Sequence, residues 1–75
     1  MNEKEMIKKK IEYFSKIGKP IHFKVLSGEF RNGHIIKDSI KKDFFILNEL
    51  VMGEIMVYFQ EIQLSSISEC KSRRL

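Results

Sequence analysis

The chain contains no tryptophan, one cysteine, one proline and only four glycines in 75 residues. A single cysteine, Cys70, excludes an intrachain disulfide. A chain this short buries only about 60% of the surface its unfolded form exposes, so it needs a staple: disulfide, metal or oligomerisation. With the disulfide excluded, oligomerisation is the expected one. The lone thiol also fits a reducing, cytoplasmic setting. With no Gly-, Ser- or Pro-rich linker, no repeat and no low-complexity segment, residues 1–75 are expected to form a single domain. No apolar run approaches the roughly 20 residues of a membrane span, and the charged opening segment is unlike a secretory signal peptide. There is no Ser-His-Asp set, no pair of carboxylates in apolar surroundings and no glycine-rich phosphate loop. The expectation is a non-enzymatic protein without a cofactor.

Basic residues are also missing from one long stretch. From Asp43 to Cys70 there is no Lys or Arg, and five acids give −5; residues 1–42 carry eleven Lys/Arg against five Asp/Glu, a balance of +6. Lys71, Arg73 and Arg74 restore +3, which makes 70–75 a basic tail. A polyanion would have to be bound by the opening segment, the first hairpin or the tail. A solvated lysine-rich surface gives the same pattern.

What is present is one helix and then strands. Asn2 with Glu5 three positions on is a capping pair. Ile7, Ile11, Phe14 and Ile17 form a stripe at helical spacing, widened by Met6 and Tyr13. Glu5–Lys9 and Glu12–Lys16 stand at i,i+4, and Gly18 and Pro20 stop the helix. The helix is expected over about 3–17. After Pro20 the period becomes two. Ile21, Phe23 and Val25 alternate with His22 and Lys24, Ser27-Gly28-Glu29 reads as a three-residue hairpin loop, and the strand returns from Phe30 to Lys37. A register centred on Gly28 pairs Ile21 with Ile35, lays Phe23 across Gly33 and sets His22 opposite His34. Residues 43–48 are apolar on both faces, as in a central strand covered by the helix on one side. Glu49 to Gly53 turns the chain. In the next strand Ile55, Val57 and Phe59 point inward, with Met56 and Tyr58 outward. Gln60-Glu61-Ile62 makes a tight turn, and Leu64 to Ser68 a last brief strand. Five short antiparallel strands with one helix make a mainly β domain, and bending into a small barrel over about 20–68 is the economical arrangement. An unpaired edge carrying Met56 and Tyr58 invites strand addition from a neighbouring copy; short edges tolerated in a monomer are the alternative.

The chain resembles the Sm-like family, the bacterial Hfq variety more than the eukaryotic Sm proteins. The likeness lies in the helix leading into Lys19-Pro20-Ile21-His22-Phe23, in Ser27–Ile35 with two glycines five apart, and in Met56-Val57-Tyr58 followed by Ile62; it covers residues 6–68. It implies a strongly bent five-stranded small barrel, rings of six or seven subunits, and binding of single-stranded RNA. The functional positions depart from the family. Its Asp-x-aromatic-x-Asn pattern, which holds uracil, is replaced by Asp38-Ser39-Ile40-Lys41-Lys42-Asp43, and the basic residue near the last turn by Gln60-Glu61. Uridine recognition is therefore not carried over. The resemblance implies that Lys41 and Lys42 face a central pore, where ring symmetry would build a basic annulus for RNA phosphates, with Phe44 stacking a base. Phe44 as core and the lysines as a solvated loop is the other reading. Lys8, Lys9, Lys10 and Lys16 form a second basic patch on the helix, which equally serves solubility. His22 and His34 provide too few ligands for a metal, and Cys70 has no neighbouring base. The sequence thus points to a ring-forming Sm-like protein that binds single-stranded RNA weakly, with low sequence preference. The alternative is a protein-interaction or scaffold module on an Sm-like or SH3-like barrel, without nucleic acid.

Overall fold

The computed structural model describes residues 2–70. Helix α1 (Glu3–Ile17) is followed by strands β1 (Ile21–Lys24), β2 (Phe30–Ile35), β3 (Phe44–Glu49) and β4 (Gly53–Tyr58). Two 3-10 turns, Phe59–Glu61 and Leu64–Ser66, then lead to strand β5 (Ser68–Glu69). The strands form one antiparallel sheet in the order β4-β3-β2-β1-β5.

Helix α1 begins and ends where its capping residues require. Asn2 Oδ1 accepts from the Glu5 N–H at 2.8 Å, and Gly18, at φ 68°, donates its N–H to Ser15 O. Its buried stripe is narrower than the spacing predicts. Ile7 and Ile11 are buried and Phe14 is half-buried, whereas Met6, Tyr13 and Ile17 are exposed. The reason is that α1 packs on β2 and the two 3-10 turns, at the mouth of the bent sheet, instead of lying flat across β3. Strand β3 accordingly alternates: Phe45 and Leu47 are buried, Phe44 and Ile46 half-buried. The i,i+4 helix pairs stay solvated, and the ion pairs among the described residues are Lys4–Asp43 and Arg31–Glu29.

The first hairpin corrects the expected register by two residues. Ile21 lies opposite Gly33 and Phe23 opposite Arg31, so His22 faces Asn32, while His34 faces Asn48 on the far side. A slip of two keeps every side chain on its own face, which is why alternation alone does not distinguish the two registers. The connection spans residues 25–29, with Val25 N–H donating to Glu29 O at 2.9 Å and Gly28 at φ 96°. On its other side Val25 bridges Ile62. Gly33 makes room for a backbone, not for a ring: a Cβ there would stand 2.1 Å from Asn48 O. This glycine pairs with Ile21 on one side and Glu49 on the other.

Two further boundaries move. Strand β2 ends at Ile35, because Asp38 takes a left-handed φ of 64° and the buried Ser39 hydroxyl donates to Ile36 O and accepts from the Ile46 N–H. Leu64–Ser66 is a 3-10 turn, not a strand. Ser66 Oγ accepts from the Lys24 N–H at 2.8 Å and so takes the place of a ladder bond along β1. Gln63 N–H donates to Lys24 O at 2.9 Å. The core packs Phe23, Phe45 and Phe59 in a row, with centroids 6.3 and 5.6 Å apart, among Ile7, Ile11, Ile21, Leu47, Val57 and Ile62. The sheet is not closed into a barrel. Strands β4 and β5 are its two margins, and residues 62–70 follow the outer edge of β1.

Glu49 holds the β3–β4 turn. The residue is 7% exposed, and its carboxylate accepts from the N–H groups of Val51 (2.7 Å), Met52 (2.9 Å) and Asn32 (3.3 Å). Burial opposes its charge, but these donors and Arg31 outweigh burial and hold its pKa below the usual carboxylate value. A depressed folded-state pKa adds stability above the unfolded carboxylate pKa, and that stability is lost as pH falls through the folded value. Glu49→Gln should cost about 1–3 kcal/mol at neutral pH. Urea unfolding of the two proteins should converge towards acid pH, and an equal gap at all pH values would contradict this role.

Candidate nucleic-acid interface and open margins

The candidate lysines are positioned by two elements, α1 and the β2–β3 connection. The connection is tightly made: Lys41 N–H donates to Phe44 O at 2.7 Å, Asp43 O accepts from the Phe59 N–H at 3.0 Å, and Ser39 anchors its first half. Lys41 and Lys42 are both exposed at its tip. From the helix, Lys4 reaches over to hydrogen-bond Asp43 Oδ1.

The structure does not gather the helix lysines into one patch. Lys8 shares a depression of about 270 Å³ with Lys42, Lys4, Asn2 and Glu5. Lys16 borders a larger groove of about 740 Å³ between the end of α1 and the β2–β3 connection, beside Glu12, Lys37 and Asp38. Lys10 lies on the opposite flank, near Leu26 and Leu64. Lys9 is exposed and lines none of these depressions. The helical repeat explains the dispersal, since consecutive residues point about 100° apart. Only Lys8 and Lys42 of the expected set are brought together, with Lys4 as an added member. The tail residues Lys71, Ser72, Arg73 and Arg74 lie outside the described residues.

Two carboxylates sit among the three lysines. Asp43 is hydrogen-bonded by Lys4, whose ammonium, with the charges of Lys42 and Lys8, holds its pKa below the usual value. The cluster of Lys4, Lys8, Lys42, Glu5 and Asp43 has a formal balance of only +1. That charge can hold a phosphate loosely at low salt, but offers nothing that reads a base.

Phe44 is placed beside Tyr58 and half-buried, with ring centroids 5.7 Å apart. The ladder sets Phe44 opposite Tyr58 and Ile46 opposite Met56, so these four share the face of the β3–β4 hairpin that points away from the core. Met56 is 50% and Tyr58 41% exposed. The residue expected to stack a base thus adjoins the residues expected at an oligomer seam.

The histidines are apart. His22 hydrogen-bonds Asn32 Oδ1 and stacks on Phe30 at 5.0 Å, and the buried Cys70 approaches the same Asn32 oxygen at 3.9 Å. Among the described residues no group of three or more His, Cys, Asp or Glu is placed to hold a metal. No helix of the described residues is long and apolar enough to cross a membrane. Glu49, the most elaborately bonded carboxylate, carried no motif in the sequence; an acid directly before an apolar turn ending in glycine was the only available signal.

Comparisons of the chain with protein-family models, curated proteins and solved structures return no match. The Lys4–Asp43 contact predicts that the Asp43 carboxyl titrates below the ordinary aspartate range. Carboxyl NMR titration should show its pKa rising towards the ordinary aspartate value in Lys4→Met. An unchanged midpoint would mean that Lys4 does not act on it in solution.

Proposed function

We propose that the chain is a non-catalytic, Sm-like ring subunit that binds single-stranded RNA weakly through backbone phosphates. The observation that carries this reading is the pair of open margins. Strands β4 and β5 end the sheet on opposite sides, and the outer face of the β3–β4 hairpin carries Met56 and Tyr58 of β4 beside Ile46 and Phe44 of β3. In this reading the bent sheet is a small barrel completed by a neighbouring copy, with β4 of one subunit pairing with β5 of the next. Repetition of that head-to-tail contact closes a ring. Because β5 is only two residues long, few backbone bonds form at each seam, and the apolar face of β4 supplies most of the adhesion.

RNA binding rests on Lys8 and Lys42, brought together from separate elements, and on Lys41 at the same tip. Ring symmetry repeats a locally weak charge at every subunit and so raises avidity. Sequence preference is low because the cluster contacts phosphates. The reading places the protein in the cytoplasm, where Cys70 remains a thiol. A second reading, a protein-interaction module without RNA, is favoured by Glu5 and Asp43 among the lysines and by the base-free stretch from Asp43 to Cys70.

Fluorescence anisotropy with short labelled U-, A- and mixed-sequence RNAs should show weak, similar binding that falls with salt. Lys8→Glu/Lys42→Glu and Lys41→Glu/Lys42→Glu should weaken all three RNAs alike, and neutralising one phosphate-contacting lysine should lower the salt slope by about 1. No binding at low salt, or binding indifferent to both double variants, favours the interaction module. Light scattering tests the seam separately: Tyr58→Lys should reduce the ring to single chains. A wild-type protein that stays a single chain at high concentration ends the ring reading.

A further inference from the structure

The margin of β4 is not open along its whole length. Phe59 N–H donates to Asp43 O at 3.0 Å, which fixes the alternation of bonds along the β3–β4 ladder. The N–H groups of Ile55, Val57 and Phe59 therefore face β3, and those of Glu54, Met56 and Tyr58 face the margin. The last of these is already taken within the chain, because Tyr58 N–H donates to Glu61 Oε1 at 3.1 Å. The carboxylate comes from a turn fixed on both sides. Glu61 O accepts from the Leu26 N–H at 2.8 Å, and Ile62 N–H donates to Phe59 O at 3.1 Å. The bond to Tyr58 caps this 3-10 turn. It also stands a charged group on the edge of the sheet.

A strand added to β4 has to fit what is left. The β5 of a second copy asks for little. Cys70 N–H donates to Pro20 O at 2.9 Å, so of the two residues of β5 it is Glu69 that turns its N–H and C=O outward. A partner at Glu54 or Met56 is enough for it. The competitor is a second β4. In the antiparallel register centred on Met56, that residue lies opposite its own counterpart, and Glu54 lies opposite the second copy's Tyr58. This register uses every outward donor of both margins and makes one apolar surface of the two outer faces, each with Phe44, Ile46, Met56 and Tyr58. It needs the Tyr58 N–H at both ends, where the Glu61 carboxylate sits, and it sets Glu54 against Glu61 as like charges. We propose that Glu61 guards the β4 margin, so that the strand added there is the β5 of a second copy and not its β4. The inference rests on the proposed ring and names the residue that keeps its contact head to tail. Two β4 strands joined about a two-fold axis would close a dimer and end assembly.

Cysteine cross-linking of the full chain separates the two pairings. In a Met56→Cys/Cys70→Ser background, the β4–β4 register brings the two introduced thiols within disulfide reach, whereas the β4–β5 contact leaves them apart. With Glu61 in place, mild oxidation should give little cross-linked dimer. Glu61→Ala and Glu61→Lys should each raise the yield about tenfold, because an edge bond becomes available at each end of the pair. Glu61→Gln keeps an oxygen for the Tyr58 N–H and should stay near the starting yield. Using both Ala and Lys guards against a folding defect in either. Equal yields with and without the Glu61 side chain overturn the proposal. So does a Glu61→Gln yield as high as that of Glu61→Ala, which would make charge the cause and not the bond. Light scattering of the wild type decides the ring separately: a wild-type single chain whose Glu61→Ala form cross-links ends the ring and keeps Glu61 as the guard of the margin.

Discussion

Three strands lie abreast at the row Ile21–Gly33–Glu49, and their close approach depends on the absence of a side chain at its centre. Any Cβ on Gly33 would collide with the backbone of Asn48 and Glu49, which has no flexible end to move aside. Gly33 is where β2 passes from one partner to the other: residues 30–33 pair with β1 and residues 33–35 with β3. Glu49, in the same row, ties the turn to β2 by accepting from the N–H groups of Val51 and Met52 in the turn and of Asn32 in β2. The aromatic row of Phe23, Phe45 and Phe59 then fills the inside of the curve, and α1 covers its mouth with Ile7 and Ile11.

The same geometry distributes the chemistry. Glu49 is the one buried acid among the described residues, and its lone pairs are used by the backbone, so its depressed pKa is a structural property. The cations remain at the periphery. Where helix and loop lysines meet, acids sit among them: Glu5 and Asp43 beside Lys8 and Lys42, and Glu12 and Asp38 beside Lys16 and Lys37, which sets a low ceiling on phosphate affinity for a single copy. Apolar surface is the more abundant resource: the outer face of β4 and the tip of the β3–β4 turn both lie exposed. The outer face of β4 is the surface which the proposed association with other copies would bury.

Helix boundaries, the number of strands and the faces of β4 were legible before the structure, because capping residues and period-two alternation act over a few residues. The register of the first hairpin was not. Two registers separated by two residues bury the same Ile21 and Phe23, and what selects between them is the backbone of β3 passing Gly33, some fifteen residues later in the chain. Leu64–Ser66 reads as strand by composition, yet Ser66 turns its hydroxyl onto the Lys24 N–H and the backbone coils. The convergence of Lys8 with Lys42 also lies beyond pattern reading, since it follows from the direction in which α1 crosses the mouth of the sheet.

By itself, the order of residues determined one capped helix, five short strands, the segregation of positive and negative charge, and which side chains are apolar enough to be buried. These are local properties, set by dihedral preference, hydrogen-bonding capacity at chain ends and the periodicity of hydrophobic residues. Tertiary structure alone decided the register, the open margins of the sheet, the clasp around Glu49, and which lysines and apolar groups share a surface. Those depend on close approach between segments far apart in the chain, where a clash of 2.1 Å or a single accepting carboxylate settles what periodicity leaves degenerate.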